Sequence, residues 1–93
     1  MNNETREILL ILAEESSEVI KEVSKIMRFG PDQCKPGSNE TNIQALEQEL
    51  GDLQAMIELL LDNNIGVTTT GLDEAKKKKF KKLKKWSNLT INK

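Results

Sequence analysis

The sequence has no histidine and few aromatic residues: its 93 residues include two phenylalanines, one tryptophan and no tyrosine. Without histidine, catalysis by Ser-His or Cys-His pairs and zinc sites that use imidazole are excluded. Acid or base chemistry must come from carboxylates, lysines or metal-bound water. Phe29, Phe80 and Trp86 are the only rings that could stack on a base, and nothing near them indicates which base.

Cysteine and long apolar runs are also scarce. Cys34 is the only cysteine, so an intramolecular disulfide is impossible, which fits a reducing compartment. No apolar run approaches the length that spans a membrane, and no basic region followed by an apolar core marks the N-terminus. We therefore expect a soluble, cytoplasmic protein that does not contact membranes.

Apolar residues recur at helical spacing in two long segments, and no alternating strand pattern is present. The sequence predicts an all-α single domain over 1–93. Its parts are a first helix over about 4–29, a Gly- and Pro-containing loop over 30–41, a second helix over about 42–64, a connector over 65–70 and a third helix over about 71–88. Thr41 or Asn42 can cap the second helix, and Thr70 with Asp73 resembles a capping box for the third.

The chain is too short to bury much of its own surface. Apolar runs at 9–11 and 59–61 exceed what a three-helix monomer can cover. We therefore expect a homo-oligomer, a dimer or a tetramer, in which helices of two copies form a four-helix bundle.

Two acidic clusters interrupt the apolar helix faces, Glu14-Glu15-x-x-Glu18 and Glu49-x-x-Asp52. Glu15 occupies a position where the apolar pattern of the first helix predicts a leucine. That pattern consists of Ile8, Leu12, Val19, Val23 and Ile26. Acids three residues apart project to the same side of a helix, so each helix offers two carboxylates to one point.

Four carboxylates facing one another in a half-buried bundle repel, unless they are protonated or a cation neutralises them. All-oxygen ligand sets suit Mg²⁺ or Mn²⁺, and bundle cores are known places for such sites. A solvated acidic face is the commoner interpretation of either cluster alone. Two clusters that interrupt two apolar stripes favour a metal site.

Charge is segregated along the chain. Residues 1–75 hold all fifteen acidic and five basic residues, a net charge of −10, whereas 76–93 hold nine lysines and no acid. A lysine-rich helix is usually a solvated face or a nucleic-acid contact. In a chain with an acidic body it can instead close over a metal-loaded cleft and contact a polyphosphate.

The segments Glu14-Glu15-Ser16-Ser17-Glu18 and Glu49-Leu50-Gly51-Asp52 resemble the EExxE…ExxD signature of the all-alpha nucleoside triphosphate pyrophosphatases, the MazG-like group. LAEESSEVIKEVSKIMRFG and NIQALEQELGDL are similar to its small stand-alone phage and bacterial members, and the likeness covers residues 8–61. It implies Mg²⁺-dependent hydrolysis of a nucleoside triphosphate, (d)NTP, to the monophosphate and pyrophosphate, as housecleaning of the nucleotide pool. The thirty residues between Glu18 and Glu49 are on the long side for the family.

The resemblance also implies roles for individual residues. The metal ligands would be Glu15, Glu18, Glu49 and Asp52, and Glu14 would join the catalytic set from the outer shell or by orienting water. Lys25 and Arg28, two to three turns beyond Glu18, would flank the site and bind substrate. Lys79 and Lys82 belong to a basic stretch similar to one that some relatives place over the phosphates.

Two other functions stay open on the sequence alone. The chain could be a non-enzymatic helical regulator or nucleic-acid-binding module that uses its third helix as a basic arm, although the acidic body would repel duplex DNA. It could also be a catalytically weak MazG-like protein whose oligomer serves as a scaffold for a partner.

Overall fold

The computed structural model describes all 93 residues and contains three helices. Helix α1 spans Asn3–Phe29, α2 spans Asn42–Asp62 and α3 spans Thr69–Trp86. There is no β-strand, only an isolated bridge between Cys34 and Thr41. The prediction of an all-α chain with three helices is confirmed. None of the three helices is both long and apolar enough to cross a bilayer.

Side-chain caps fix where α1 and α2 begin. The Thr5 amide donates to Asn2 Oδ1 at 2.8 Å. Thr41 and Gln44 form a reciprocal capping box, in which each backbone amide donates to the other side chain at 2.9 and 3.2 Å. The predicted cap at Thr41 is confirmed. Helix α1 ends at Phe29 and is capped by Gly30, whose φ of 91° is a conformation that residues with a side chain rarely adopt.

Helix α3 begins two residues earlier than predicted. Its cap is Thr68, which has extended backbone angles and whose Oγ1 accepts from the Gly71 amide at 2.9 Å. The predicted capping box of Thr70 and Asp73 is therefore wrong, because Thr69 and Thr70 already lie inside the helix.

Helices α2 and α3 both end about two residues before the predicted positions. Helix α2 ends at Asp62, where the Asn63 side chain donates to the Leu59 carbonyl at 2.8 Å and Asn64 adopts a left-handed φ of 52°. Helix α3 ends at Trp86. The left-handed exit expected after α2 is confirmed.

Helices α1 and α2 pack side by side as an antiparallel hairpin. Ile8 near the start of α1 forms the buried core with Met56 and Leu60 near the end of α2. At the other end of the hairpin, the Asn42 side chain donates to the Gly30 carbonyl at 3.0 Å. The middle of this helix seam is where α1 and α2 carry their acidic clusters.

The loop 30–41 folds back onto the start of α2. The Asn42 amide donates to the Gln33 carbonyl, and the Ile43 amide donates to the Pro31 carbonyl, both at 2.9 Å. These bonds join the end of α1 to the start of α2. They hold the two helices in a fixed longitudinal register.

The hairpin leaves one side apolar and exposed, which we call the apolar side. Helical geometry places its residues roughly 80–140° around each helix from the seam. Because the helices are antiparallel, both stripes face the same direction. The residues of the apolar side are Leu9, Ile20, Val23 and Met27 of α1 with Ile43 and Leu50 of α2. Val23, predicted to face the core, is 44% exposed, because the seam turns toward Glu15 and Glu22 instead.

The exposed area is large for the mass of the chain. The protomer exposes 7,496 Å². A compact monomer of 10.5 kDa exposes about 5,400 Å². Only three apolar side chains are buried, so the protomer alone has a very small core.

Helix α3 stands off the hairpin as an arm. Only α1 and α2 pack extensively on each other, and no residue of α3 is buried. The chain accordingly measures 42 × 38 × 15 Å, much broader than a two-helix hairpin. The start of the arm borders a groove of about 550 Å³ with Gln54 and Ile57, which lie toward the apolar side of α2. We refer to α3 as the arm below.

Candidate metal centre

Three carboxylates meet at the middle of the hairpin seam. Glu15 comes from α1, and Glu49 and Asp52 come from one face of α2. One oxygen from each of the three lies within 4.8 Å of the others, and all three residues are half-buried. We call this group the carboxylate triplet. The sequence predicted these three residues as ligands, and the structure brings them together.

The fold places the triplet by simple periodicity. Glu15 lies seven residues after the buried Ile8, so it shares the face of α1 that meets α2. Asp52 lies four residues before the buried Met56, and Glu49 lies seven before it. The side chains that would fill the middle of the core are therefore replaced by acids.

The triplet carries charge without a compensating base. The two ion pairs of the protomer are Lys25 with Glu22 and Lys76 with Asp73, and neither involves the triplet. Oε2 of Glu15 is buried and has no hydrogen-bond partner. A buried carboxylate oxygen without a donor is costly.

Glu49 shows the effect of this crowding on its protonation. Partial burial raises the pKa of Glu49 above the usual 4.5, and a hydrogen bond with Glu15 raises it further. Repulsion from Asp52, Glu15 and Glu18 acts in the same direction. Glu49 therefore loses its proton at a higher pH than an isolated glutamate does, as expected for acids that lie close together without a compensating positive charge.

The other two predicted acids lie at different distances from the triplet. Glu18 is half-buried and close enough to act on the pKa of Glu49, but it is not part of the triplet. Glu14 is exposed, and the structure does not bring it to the triplet. Gln48 donates to Asp52 Oδ1 at 3.1 Å and so orients that carboxylate.

A polar cavity of about 210 Å³ adjoins the triplet on the side opposite the apolar side; we call this the polar side. Glu18 and Glu49 connect the cavity with the triplet. Lys21, Lys25 and Lys35 contribute its positive charge. The remaining lining residues are Glu22, Glu40, Thr41, Asn42, Ala45 and Gln48.

The predicted substrate-binding residues divide into two groups. Lys25 lines the polar cavity beside the triplet. Arg28 is exposed and lies over the Phe29 ring at 5.0 Å, outside the cavity. Lys79 and Lys82 are exposed on the arm, and Lys79 borders the groove with Gln54 and Ile57. The structure does not bring these two lysines to the triplet of the same protomer.

Sequence reasoning missed Glu22. This residue is 7% exposed, and its Oε1 lies 3.4 Å from Lys25 Nζ, while its Oε2 has no hydrogen-bond partner. The signal was the seven-residue spacing from Ile8 to Glu15 and from Glu15 to Glu22, which places all three on the seam. Lys35 was also missed, because its approach depends on how the loop folds back.

Comparison of the chain with known protein families, curated proteins and solved structures finds no match. Its function must be inferred from the residues themselves.

Proposed function

We propose that the chain is a Mg²⁺-dependent nucleoside triphosphate pyrophosphohydrolase of the MazG-like type, which hydrolyses surplus or noncanonical (d)NTPs. The observation that carries the proposal is the carboxylate triplet. Three acids from two helices converge within 4.8 Å, and no base pairs with them. The resemblance of the two acidic motifs to that family supports the same activity.

The donor set fits a hard divalent cation. All candidate ligands are carboxylate oxygens; the chain has no histidine, and its one cysteine, Cys34, is not part of the cluster, so no ligand for a softer metal is present there. Glu15, Glu49 and Asp52 would hold the ion, with Glu18 at the edge toward the cavity. A bound Mg²⁺ or Mn²⁺ supplies charge neutralisation at the phosphates and acidifies water. The unpartnered Oε2 of Glu15 would then have a positive partner.

The lysines of the polar cavity give the triphosphate a place to bind. Lys21, Lys25 and Lys35 line the cavity that Glu18 and Glu49 connect with the triplet. Their ammonium groups would neutralise phosphate oxygens and stabilise the leaving pyrophosphate. Attack by water on the α-phosphorus breaks the bond between that phosphorus and the bridging oxygen. One monophosphate and one pyrophosphate are released.

The exposed apolar side supports a homodimer as the working form. If two hairpins pack by their apolar sides, α1 and α2 of both copies form a four-helix bundle. The area exposed beyond that of a compact monomer, about 2,000 Å² per protomer, is ample for such an interface. The polar cavities would open away from the contact.

Binding of a nucleic acid is the second candidate, and the arm is what favours it. Residues 76–85 contain eight lysines, all exposed, of which only Lys76 forms an ion pair. In this alternative the triplet is an acidic face without a catalytic role. Nucleic-acid binding of this kind would show an affinity that decreases steeply as the salt concentration rises.

Product analysis decides between these functions. The protein is incubated with common and damaged nucleoside triphosphates and Mg²⁺, and the phosphate products are separated. We expect equal amounts of monophosphate and pyrophosphate from the wild type and a loss of turnover in Glu49→Gln. Glu58→Gln, an exposed acid on α2 outside the triplet, is the matched control. Release of orthophosphate and nucleoside diphosphate, or salt-sensitive nucleic-acid binding without hydrolysis, would contradict the proposal.

A further inference from the structure

The polar cavity beside the carboxylate triplet is small for a whole nucleoside triphosphate. Its volume is about 210 Å³. Pockets that enclose a drug-sized ligand measure about 300–1,000 Å³. The charged lining of the polar cavity suits phosphate groups, and no aromatic ring borders it. A nucleotide held there by its phosphates must therefore place its base outside this cavity.

A second cavity continues the polar cavity toward the loop end of the hairpin; we call it the loop cavity. Its volume is about 230 Å³, and it shares Lys25, Lys35 and Asn42 with the polar cavity. Because the same three side chains line both cavities, one ligand that passes them can occupy both. Together the two volumes fall within the range of pockets that enclose a drug-sized ligand.

The loop cavity owes its shape to the contacts that fold loop 30–41 back onto α2. The Asn42 amide donates to the Gln33 carbonyl at 2.9 Å, and Cys34 forms an isolated bridge with Thr41. No acidic residue borders the loop cavity, whereas four glutamates border the polar cavity. Besides the three shared residues, the lining consists of Phe29, Gln33, Cys34 and Pro36. This lining suits an uncharged, planar group better than a phosphate.

Phe29 supplies the loop cavity with an aromatic ring. It is 53% exposed and lies on the same stripe of α1 as Glu18 and Lys25, eleven and four residues before it. Long side chains on a helix lean toward its N-terminus, so this ring leans toward Lys25 and the polar cavity. Phe80 and Trp86, the other two rings of the chain, lie on the arm and border neither cavity. The structure thus singles out Phe29 for stacking.

Two side-chain amides lie beside this ring. The Gln33 side chain lines the loop cavity, and its amide can both donate and accept a hydrogen bond. Asn42 donates through Nδ2 to the Gly30 carbonyl at 3.0 Å, which holds the side chain in place and leaves Oδ1 as an acceptor. Each base presents its own pattern of donors and acceptors, so amides next to a stacked base can discriminate between bases.

We propose that the loop cavity is the nucleoside subsite. The base stacks on Phe29, and the Gln33 side chain contacts its edge. The sugar lies between Lys25 and Asn42, and the phosphates occupy the polar cavity. Glu18 and Lys25 are seven residues, about 10 Å, apart along α1, a distance that a phosphate and its sugar can bridge. The proposal rests on the proposed function for its ligand, a nucleotide, and adds where the base binds and what selects it.

Binding of the two reaction products tests the subsite without hydrolysis. Calorimetry with Mg²⁺ is carried out with each common nucleoside monophosphate and, separately, with inorganic pyrophosphate. Phe29→Ala should weaken the binding of every monophosphate about 10-fold or more, as expected for the loss of base stacking, and leave pyrophosphate binding unchanged. Phe29→Trp keeps a ring and should retain monophosphate binding. Phe80→Ala and Trp86→Ala are the matched controls and should bind both products like the wild type.

Gln33→Ala tests the contact with the base edge. The substitution keeps the backbone carbonyl that accepts from the Asn42 amide, so the loop retains this hydrogen bond. We expect smaller differences in affinity among the four bases and unchanged pyrophosphate binding. Base preferences equal to those of the wild type would overturn the role of Gln33.

Fluorescence gives a readout at the subsite itself. Trp86 is the only tryptophan, so the double variant Phe29→Trp/Trp86→Phe has its single indole at position 29. Its emission should change when a nucleoside monophosphate is added and stay constant with pyrophosphate. Constant emission with both products would contradict stacking at this position.

The outcomes separate this proposal from the proposed function. Specific loss of monophosphate binding in Phe29→Ala, in a protein that hydrolyses no nucleoside triphosphate, would refute the hydrolase and retain the subsite. Hydrolysis by the wild type, with the same KM in Phe29→Ala, would refute the subsite alone. The subsite would also be refuted by an equal loss of monophosphate and pyrophosphate binding in Phe29→Ala, or by a wild type that binds no nucleotide.

Discussion

Glu15 of α1 and Glu49 of α2 bring carboxylate oxygens within 4.8 Å of each other across the hairpin seam, and Glu15 is one cause of the raised pKa of Glu49. A proton on Glu49 and a cation at the triplet would each relieve the repulsion between these acids. The seam can therefore exchange one for the other, between a state with a protonated Glu49 and a state that holds a cation. Several measurable properties depend on the exchange between these states.

Metal-free stability should decrease with pH in a range set by Glu49. The pKa of Glu49 is raised above 4.5 in the folded chain, so between 4.5 and the raised value the folded state binds more protons than the unfolded state. The free energy of unfolding should fall as the pH rises through this range and stay level above it. Melting temperatures measured in chelator at several pH values would show the decrease. It should be smaller in Glu49→Gln and unchanged in Glu58→Gln; the same pH dependence in all three proteins would contradict the prediction.

Mg²⁺ or Mn²⁺ should stabilise the folded protein. A ligand at about 100 times its dissociation constant adds about 2.7 kcal/mol to the free energy of unfolding, provided that it binds only the folded state. We expect a higher melting temperature with either ion, increasing with pH because the ion displaces a proton from the triplet. Asp52→Asn should lose this increment, whereas Glu58→Gln should keep it. Equal melting curves with and without metal would indicate a solvated acidic face.

Glu22 and Lys25 should be coupled in stability. Glu22 is buried, and Lys25 is its only charged partner, at 3.4 Å. Lys25→Met leaves the carboxylate unpaired and should cost about 2 kcal/mol, measured by urea denaturation. Glu22→Leu combined with Lys25→Met should recover most of that loss, because no buried charge remains. Additive losses in the double variant would show that the two side chains act independently.

The apolar side should control assembly. Light scattering of the wild type at micromolar concentration should give a dimer or a larger oligomer, and Ile20→Glu should shift it toward the monomer because it places a charge in the apolar contact. Ile20 is 69% exposed in the protomer, so the substitution leaves the hairpin core intact. Leu10→Glu places the same charge at an apolar residue that is 62% exposed on a face of α1 away from the apolar side, and it serves as the control. A monomeric wild type, or equal behaviour of the two variants, would refute the four-helix bundle.

The sequence predicted the features that depend on local periodicity. The three helices and the convergence of Glu15 with Glu49 and Asp52 follow from the spacing of apolar and acidic residues. The start of α3 could not be read in the same way, because 68–70 are three consecutive threonines and each can cap a helix. The choice among them depends on the path of the chain after α2.

Features that depend on packing between distant segments were not predictable. The sequence does not indicate that α3 stands off its own hairpin. A thin apolar seam is equally compatible with packing in the same protomer and with packing on another copy. The position of Lys79 beside Gln54 and Ile57, outside the polar cavity, follows from that path of the chain. The burial of Glu22 likewise depends on how closely α1 and α2 approach each other at the loop end.

The hydrogen bonds that tie Gly30, Pro31 and Gln33 to the start of α2 make the loop a closed side excursion. These bonds at the start of the loop set the longitudinal register of the two helices. The length of the remaining loop does not affect that register. A doubling of loop length adds only about 0.6 kcal/mol of closure entropy. The interval between the two acidic clusters can therefore lengthen or shorten without moving Glu15 relative to Glu49, and a search that fixed this spacing would overlook chains with the same seam.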